Sequence, residues 1–137
     1  MGKVEKIIKD GIIYAIIIKF DYKPQKTEFF TKKEDLQQIG FIVYEAGGTI
    51  QPHYHKFNKR TINKTTETLF VKEGKLEYQI FDNVRSSISN GILEKGDIIT
   101  LLNGGHGFKI IEDVILIEVK QGPFISTEID KERFNNV

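Results

Sequence analysis

The histidines of this chain fall in two short motifs whose residue types are suited to binding a metal ion. His53 and His55 are separated by a single residue, and His106 lies in a glycine-rich run. Histidine is the commonest protein ligand for metals, and a carboxylate beside imidazoles suits a first-row transition metal. Glu67 supplies a carboxylate between the two motifs. The four side chains therefore form a candidate mononuclear metal site.

Side-chain alternation along strands decides whether these residues can meet. Residues at i and i+2 of a strand point to the same face, so a strand over Thr49–His55 would direct His53 and His55 together. Glu67 shares its parity with the apolar Leu69, which predicts that it faces the interior. A buried carboxylate needs a compensating charge, and a divalent ion can provide one. The alternatives are that the histidines are ordinary polar residues of a strand and that Glu67 is a surface carboxylate.

The elements that must position these residues are short β-branched and aromatic runs separated by Gly, Asn and Asp. This pattern predicts an all-β fold, a sandwich or a barrel, over a single domain of residues 1–137. Gly74 and Asn90-Gly91 are typical of hairpin turns, Lys32–Gln38 with Thr31 as N-cap is the best helical candidate, and one further helical turn is expected at Asp130–Phe134. The predicted strands are Val4–Lys9, Ile12–Phe20, Thr27–Thr31, Phe41–Ala46, Thr49–His55, Glu67–Lys72, Lys75–Asp82, Ser86–Leu93, Asp97–Leu102, Gly107–Ile111 and Val114–Lys120.

The overall composition excludes several classes of function. The 137 residues include 20 Lys and Arg against 19 Asp and Glu, so the net charge of +1 provides no basic footprint for nucleic acid or for a membrane surface. The absence of cysteine excludes disulfides and thiolate metal ligands. The apolar run Ile12–Ile18 is too short to span a bilayer. We expect a cytoplasmic protein whose partner is a small molecule rather than nucleic acid or a membrane.

The two motifs resemble those of the cupin superfamily of double-stranded β-helix, or jelly-roll, barrels. The first cupin motif combines a glycine, two histidines, a glutamate and a second glycine, here Gly47, His53, His55, Glu67 and Gly74. The second combines two glycines and a histidine, here Gly96, Gly104 and His106. The second motif has Leu102 and Ile110 where the family has proline and asparagine, and its spacing is one residue short. The eleven residues between His55 and Glu67 also exceed the family's usual interval.

The resemblance covers residues 41–119 and implies both a fold and a ligand set. It implies a jelly-roll barrel, with the flanking residues as added strands. In metal-binding cupins the ion is held by the residues that correspond here to His53, His55, Glu67 and His106. The implied cofactor is one divalent transition metal ion, Fe, Mn, Ni or Zn, with open positions for substrate. The alternative is a catalytic base without metal, as in the nucleotide-sugar epimerases of the superfamily.

Four further residues are candidates for roles around the site. The loop Lys56–Thr66 contains four basic residues and no acidic one. Arg60 and Lys64 could therefore form a basic lip that attracts an anionic substrate, such as a sugar phosphate, a nucleotide sugar or a carboxylate, although a charged loop can also be merely solvated. Tyr44 and Tyr78 are candidates for proton transfer, and packing is their alternative role.

These features together predict a metal-dependent enzyme of the isomerase or epimerase type. Its substrate would be a small polar or sugar-derived molecule, in carbohydrate or surface-polysaccharide metabolism. An Fe(II)-dependent dioxygenase and a non-catalytic binding or sensor module are the alternatives, since fold alone does not decide among them. The run Ile12–Ile18 predicts a strand buried on both faces, which indicates a homodimer interface.

Overall fold

The computed structural model describes residues 2–135, and regular structure in this part of the chain is almost entirely β. The all-β prediction is therefore confirmed, while residues 1 and 136–137 of the predicted domain lie outside the described part. No helix within residues 2–135 has the length and apolar character needed to cross a membrane. The elements are β1 (Val4–Lys9), β2 (Ile12–Ile18), β3 (Glu28–Phe29), β4 (Gly40–Phe41), β5 (Glu67–Phe81), β6 (Ser87–Glu94), β7 (Ile98–Leu101), β8 (Gly105–Lys120) and α1 (Thr127–Asp130).

Six strands of the described chain form one strongly curled antiparallel sheet. The strand order is β1-β2-β7-β5-β6, and β8 pairs with β5 along the length of both strands. The first half of β5 lies between β7 and β8, whereas its second half lies between β6 and β8. β5 and β8 therefore run through both halves of the sheet. These two strands carry Glu67 and His106. The short strands β3 and β4 pair only with each other within residues 2–135.

The long ladder between β5 and β8 bends at its middle, where the sequence places Gly74. The pairing register shifts repeatedly between Val71 and Leu76. Gly74 has a φ of +94°, and a Cβ at this position would lie 1.9 Å from the carbonyl oxygen of Asp113 in β8. The predicted hairpin at Gly74 is therefore wrong. The glycine lets two strands approach closely and bend without a turn, so two pairs of predicted strands merge into β5 and β8.

The predicted hairpin at Asn90-Gly91 is wrong for a different reason. β6 runs through both residues, and Gly91 pairs with Tyr78 of β5. A Cβ at Gly91 would lie 2.6 Å from the Tyr78 hydroxyl oxygen, so the glycine leaves room for a buried aromatic ring. The turn that does connect β5 to β6 begins at Asp82, whose carboxylate accepts two hydrogen bonds from backbone N–H groups within the turn, at 3.0 and 2.9 Å.

Two hydrophobic clusters lie on opposite faces of the sheet, and alternate residues of β2 enter them. Ala15 and Ile17 belong to the larger cluster, which also buries Leu76, whereas Ile16 and Ile18 belong to the smaller one. The smaller cluster is covered by aromatic and aliphatic side chains of residues 22–41. β2 is thus buried on both faces, as predicted. Because the chain itself supplies this cover, the burial of β2 does not require a subunit interface.

Residues 44–65, which we call the arm, are all exposed and form neither strand nor helix. The predicted strand Thr49–His55 is therefore wrong. A strand needs a neighbour that receives its backbone hydrogen bonds, and no strand of the described chain pairs with this segment. The predicted strands on either side of residues 32–38 are reduced to the two-residue strands β3 and β4.

The predicted helix at Lys32–Gln38 is also wrong. Side chains replace the backbone hydrogen bonds that a helix would make: the Gln38 amide donates to the carbonyl oxygens of Lys32 and Asp35 at 2.8 and 3.0 Å. Thr31, the expected N-cap, instead accepts a hydrogen bond from the backbone N–H of Ile39 at 3.2 Å. The helical turn expected at Asp130–Phe134 lies earlier, because Ser126 caps α1.

Candidate functional site

Glu67 is the first residue of β5 and is held by strands on both sides, β7 on one and β8 on the other. The preceding residue, Thr66, is buried and exchanges two hydrogen bonds with the Gln121 side chain, at 2.8 and 2.6 Å. The Glu67 side chain is only 13% exposed, and Leu69, two residues on, lies in the larger hydrophobic cluster. The predicted inward orientation of Glu67 is thereby confirmed.

His106 is the second residue of β8 and follows a tight approach of the backbone to β5. Gly104 has a φ of +69°, and a Cβ there would lie 2.1 Å from the carbonyl oxygen of Phe81 and 2.8 Å from the Tyr14 ring. Only glycine combines this conformation with so little space. The glycines before His106 therefore fix where β8 begins and set its first side chains against the end of β5. Within β8 the ring of His106 lies 6.0 Å from that of Phe108.

The two side chains meet although they belong to opposite ends of the same ladder. Glu67 pairs with Lys120 at one end, and Ile80 pairs with His106 at the other. A straight strand from residue 67 to residue 80 would span about 43 Å. Nevertheless, His106 Nε2 lies 2.8 Å from Glu67 Oε1. The contact exists because the sheet curls until the two ends of the ladder face each other.

The electrostatics of this pair favour an ionised carboxylate. The hydrogen bond from His106 is the main cause that holds the pKa of Glu67 below its ordinary value, and burial acts in the opposite direction. The Lys120 ammonium lowers the same pKa further. A neutral imidazole with its proton on Nε2 can donate this hydrogen bond and leaves Nδ1 as an acceptor. Glu67 is therefore a carboxylate at neutral pH, with an imidazole aligned against it.

The pair also fits half of the donor set that the cupin resemblance implies. A carboxylate oxygen and an imidazole nitrogen are both suited to a first-row metal ion. Neighbouring ligands on an octahedral ion, each about 2.1 Å from it, lie about 3 Å apart. The separation of 2.8 Å between Glu67 Oε1 and His106 Nε2 agrees with that arrangement. These two residues fit as adjacent ligands.

The other half of the set lies on the arm. The rings of His53 and His55 are exposed and stand side by side, with centroids 5.3 Å apart. His53 Nδ1 lies 2.8 Å from the carbonyl oxygen of Gln51. The structure does not bring these rings to Glu67 and His106, because the arm is not paired with the sheet. In residues 2–135, no three His, Asp or Glu side chains are gathered closely enough to hold a metal ion.

A cavity of about 630 Å³ opens beside the Glu67–His106 pair. One wall is the C-terminal segment 130–134, which sequence reasoning did not place at the site. The ring of Phe134 packs edge-on against Phe81, with centroids 5.0 Å apart, and Glu132 forms a 2.7 Å ion pair with Arg85. The signal for this wall is a charged run that ends in an aromatic residue, directly after the last strand. A segment with that composition can seal a cavity with its ring while its charges stay in water.

The remaining candidates divide between the arm and the core. Lys64 lines the 630 Å³ cavity and a neighbouring cavity, and Arg60 lines the neighbouring one. Tyr44 is exposed and Tyr78 is buried in the larger hydrophobic cluster, where burial raises the pKa of its hydroxyl. Neither tyrosine lines either of these two cavities.

Comparison with known proteins finds no relative of this chain. No protein-family model, no curated protein and no solved structure matches the chain.

Proposed function

We propose that this chain is a metal-binding cupin enzyme that acts on a small polar, sugar-derived substrate by an isomerase or epimerase type of reaction. The observation that carries the proposal is the contact between His106 Nε2 and Glu67 Oε1 beside the 630 Å³ cavity. Two motifs that are distant in the sequence here contribute one polar pair to the lining of a cavity between the curled sheet and the C-terminal segment. The jelly-roll barrel is part of the same proposal, because the motifs imply it.

In this proposal one divalent ion, Fe, Mn, Ni or Zn, is held by four ligands from two sources. Glu67 and His106 belong to the sheet, and His53 and His55 come from the arm. Eleven residues separate His55 from Glu67, and an extended chain of that length reaches about 36 Å, so the arm is long enough to fold over the cavity. When bound, the ion would act as a Lewis acid on a substrate carbonyl.

The chain's own residues supply the acid–base chemistry that an isomerisation needs. Such a reaction removes a proton next to a carbonyl group and returns one to a neighbouring atom. Imidazole is suited to both steps near neutral pH, but His106 can perform them only while its Nε2 is free of metal, because an imidazolium has no lone pair to bind an ion. In that state Glu67 holds the ring in one orientation through Nε2 and stabilises the imidazolium after proton uptake.

An acid–base enzyme without metal is the second candidate. The specific observation in its favour is that the His106–Glu67 hydrogen bond is already formed, with the histidines of the arm elsewhere. In such an enzyme His106 would act as the base in the way just described. His53 and His55 would then have no part in the chemistry.

Elemental analysis of protein purified without a metal-affinity tag tests the proposal. We expect one equivalent of a divalent transition metal in the unaltered protein. Glu67→Gln, His106→Asn and the double variant His53→Ala/His55→Ala should each weaken metal binding by more than tenfold, since each removes at least one ligand. Glu77→Gln, a change of the same type ten residues further along β5, is the matched control and should retain the metal.

The outcomes separate the candidates. Metal at background levels, unchanged by any of these substitutions, contradicts the metal-binding proposal and favours the metal-free enzyme. Loss of metal in the Glu67 and His106 variants alone would remove the arm from the ligand set. Stoichiometric iron with oxygen uptake would point to the dioxygenase. A ligand-binding protein with no turnover of any sugar-derived substrate would point to the sensor module.

A further inference from the structure

A second cavity, of about 590 Å³, adjoins the cavity of the Glu67–His106 pair. We call the 590 Å³ cavity the charged cavity and the 630 Å³ cavity beside Glu67 and His106 the pair cavity. They share Lys64, Thr65 and Asp130 in a common wall, which the 2.7 Å hydrogen bond from the Thr65 hydroxyl to Asp130 holds together. Both volumes lie in the range of small-molecule sites. A ligand that crosses this wall would occupy both.

The two cavities differ in charge. The lining of the charged cavity contains three cationic side chains, those of Arg60, Lys64 and Lys120, and one carboxylate, that of Asp130. Its formal charge is therefore +2. The pair cavity is lined by as many carboxylates as Lys and Arg side chains. An anionic ligand would thus place its charge in one cavity and its uncharged part in the other.

Arg60 is the residue best disposed to bind an anion. No carboxylate within residues 2–135 lies within 4 Å of its guanidinium group. Lys120, by contrast, lies 3.3 Å from Glu118 and 3.9 Å from Asp130. A planar guanidinium binds a phosphoryl group through two parallel hydrogen bonds, which an ammonium cannot do.

The same cavity also presents an apolar surface. Phe124 is 64% exposed, and its ring lies 5.6 Å from the Lys120 ammonium. Ile125 and Ile129 add exposed aliphatic side chains to the lining. Charge beside an exposed ring and aliphatic groups suits a ligand in which an anionic group is attached to a flat or apolar body.

We propose that the charged cavity binds a phosphoryl group of the substrate, so that the rest of the molecule reaches Glu67 and His106. A phosphate monoester is close to a dianion at neutral pH and matches the charge of +2, whereas a single carboxylate would leave half of it uncompensated. This inference rests on the proposed function, because it assigns a substrate class to the same site. The substrate is then a phosphorylated small molecule held in one orientation.

Calorimetric titration with phenyl phosphate and with benzoate, at constant ionic strength and pH 7.5, tests the inference. The two probes share a ring and differ in the anionic group. We expect phenyl phosphate to bind at least tenfold more tightly than benzoate. Arg60→Gln should weaken phenyl phosphate binding by at least tenfold, because it removes both parallel charge-assisted hydrogen bonds. The change lies on an exposed segment, so it should leave the thermal midpoint unaltered.

Lys59→Gln is the matched control, because it removes the same charge from the adjacent residue, which does not line the cavity. It should weaken phenyl phosphate binding less than twofold. Equal losses for Arg60→Gln and Lys59→Gln would mean that only the general charge of the arm acts, and would overturn the inference. Equal affinities for the two probes, or no binding of phenyl phosphate, would overturn it too.

The test is independent of the metal. Removal of the metal with a chelator should leave phenyl phosphate affinity within twofold, because none of the four proposed metal ligands lines the charged cavity. Metal retained without phosphoryl binding would refute this inference alone. Phosphoryl binding without metal would leave the charged cavity in place and refute the metal-binding function.

Discussion

Replacing Gly74 by alanine tests whether the curl of the sheet depends on one missing side chain. The cost has two parts. Alanine at a φ of +94° lies outside its allowed regions, which costs about 1–2 kcal/mol. The new Cβ would also lie 1.9 Å from a backbone oxygen and 2.8 Å from the Cα of Val114. Because no side-chain rotation relieves a clash with backbone, we add the upper range of overpacking costs, about 2–3 kcal/mol. The expected loss in the free energy of unfolding is about 3–5 kcal/mol.

Two control substitutions isolate the conformational part. Gly47 has nearly the same φ, +89°, and Gly11 lies in the β1–β2 hairpin with a φ of +76°. A Cβ at either position would meet nothing within 4 Å. Gly11→Ala should therefore cost only about 1–2 kcal/mol, and Gly47→Ala no more than that. Urea denaturation followed by circular dichroism measures all three. For a chain of this size, each kcal/mol corresponds to about 4 °C in the melting midpoint.

A Gly74→Ala variant no more destabilised than Gly11→Ala would contradict this expectation. The close approach of β8 to the middle of β5 would then not be needed for stability. A Gly74→Ala variant that loses stability as expected but binds metal unchanged, at a temperature where it is folded, would also contradict the expectation. In that case the bend would not control the distance between the two ends of the ladder.

Two further predictions concern acid stability and the C-terminal wall. Lys9 donates a 2.6 Å hydrogen bond to Asp82, and together with the N–H groups of the turn it holds the pKa of Asp82 below its ordinary value. The ionised Asp82 carboxylate therefore stabilises the fold above about pH 3.9, and this stabilisation is lost as pH falls through the lowered pKa. Asp82→Asn should therefore be less stable than the unaltered protein at pH 7, with a difference that narrows by pH 3 in urea denaturation; an equal difference at both pH values would contradict this. Phe134→Ala removes the contacts with Phe81 and with the Arg85 guanidinium, 5.4 Å from the ring, and should cost about 1–2 kcal/mol and speed hydrogen exchange in residues 130–134. Phe124→Ala, which removes an exposed ring, is its control, and equal effects of the two would mean that the wall is not anchored by Phe134.

The strand content could be predicted from the sequence because β-branched and aromatic runs signal strands regardless of their partners. The turns that connect the strands were harder to predict. Gly74 and Gly91 carry the same local signal as a turn glycine, yet each is required by a neighbour across the sheet: the Asp113 carbonyl group in one case and the Tyr78 ring in the other. Local sequence contains no information about that neighbour. The helix expected at Lys32–Gln38 failed similarly, since side-chain hydrogen bonds there replace those of the helix backbone.

The residues of the candidate site whose orientation follows from side-chain alternation along a strand were predicted correctly. Those whose position depends on which strand pairs with their segment were not. Glu67 faces inwards because it alternates with Leu69 in a strand whose inner face is apolar, and this could be read from the sequence. The position of His53 and His55 depends on a partner for the arm, which alternation does not specify. The C-terminal wall was missed for a related reason: its residues have no periodicity and are held by single side-chain contacts such as the ion pair between Arg85 and Glu132.

Because Glu67 and His106 meet across the two ends of one ladder, the site affects both the stability of the sheet and the order in which the molecule folds. A ligand that binds both residues holds the two ends of the ladder together, so its binding free energy adds to the free energy of unfolding of the whole sheet. The contact between Glu67 and His106 also cannot form until β8 has been synthesised and paired along β5, since the two residues approach only when the entire ladder is in register. Pairing so distant in sequence is slow to form. We therefore expect the site to be among the last parts of the molecule to assemble during folding.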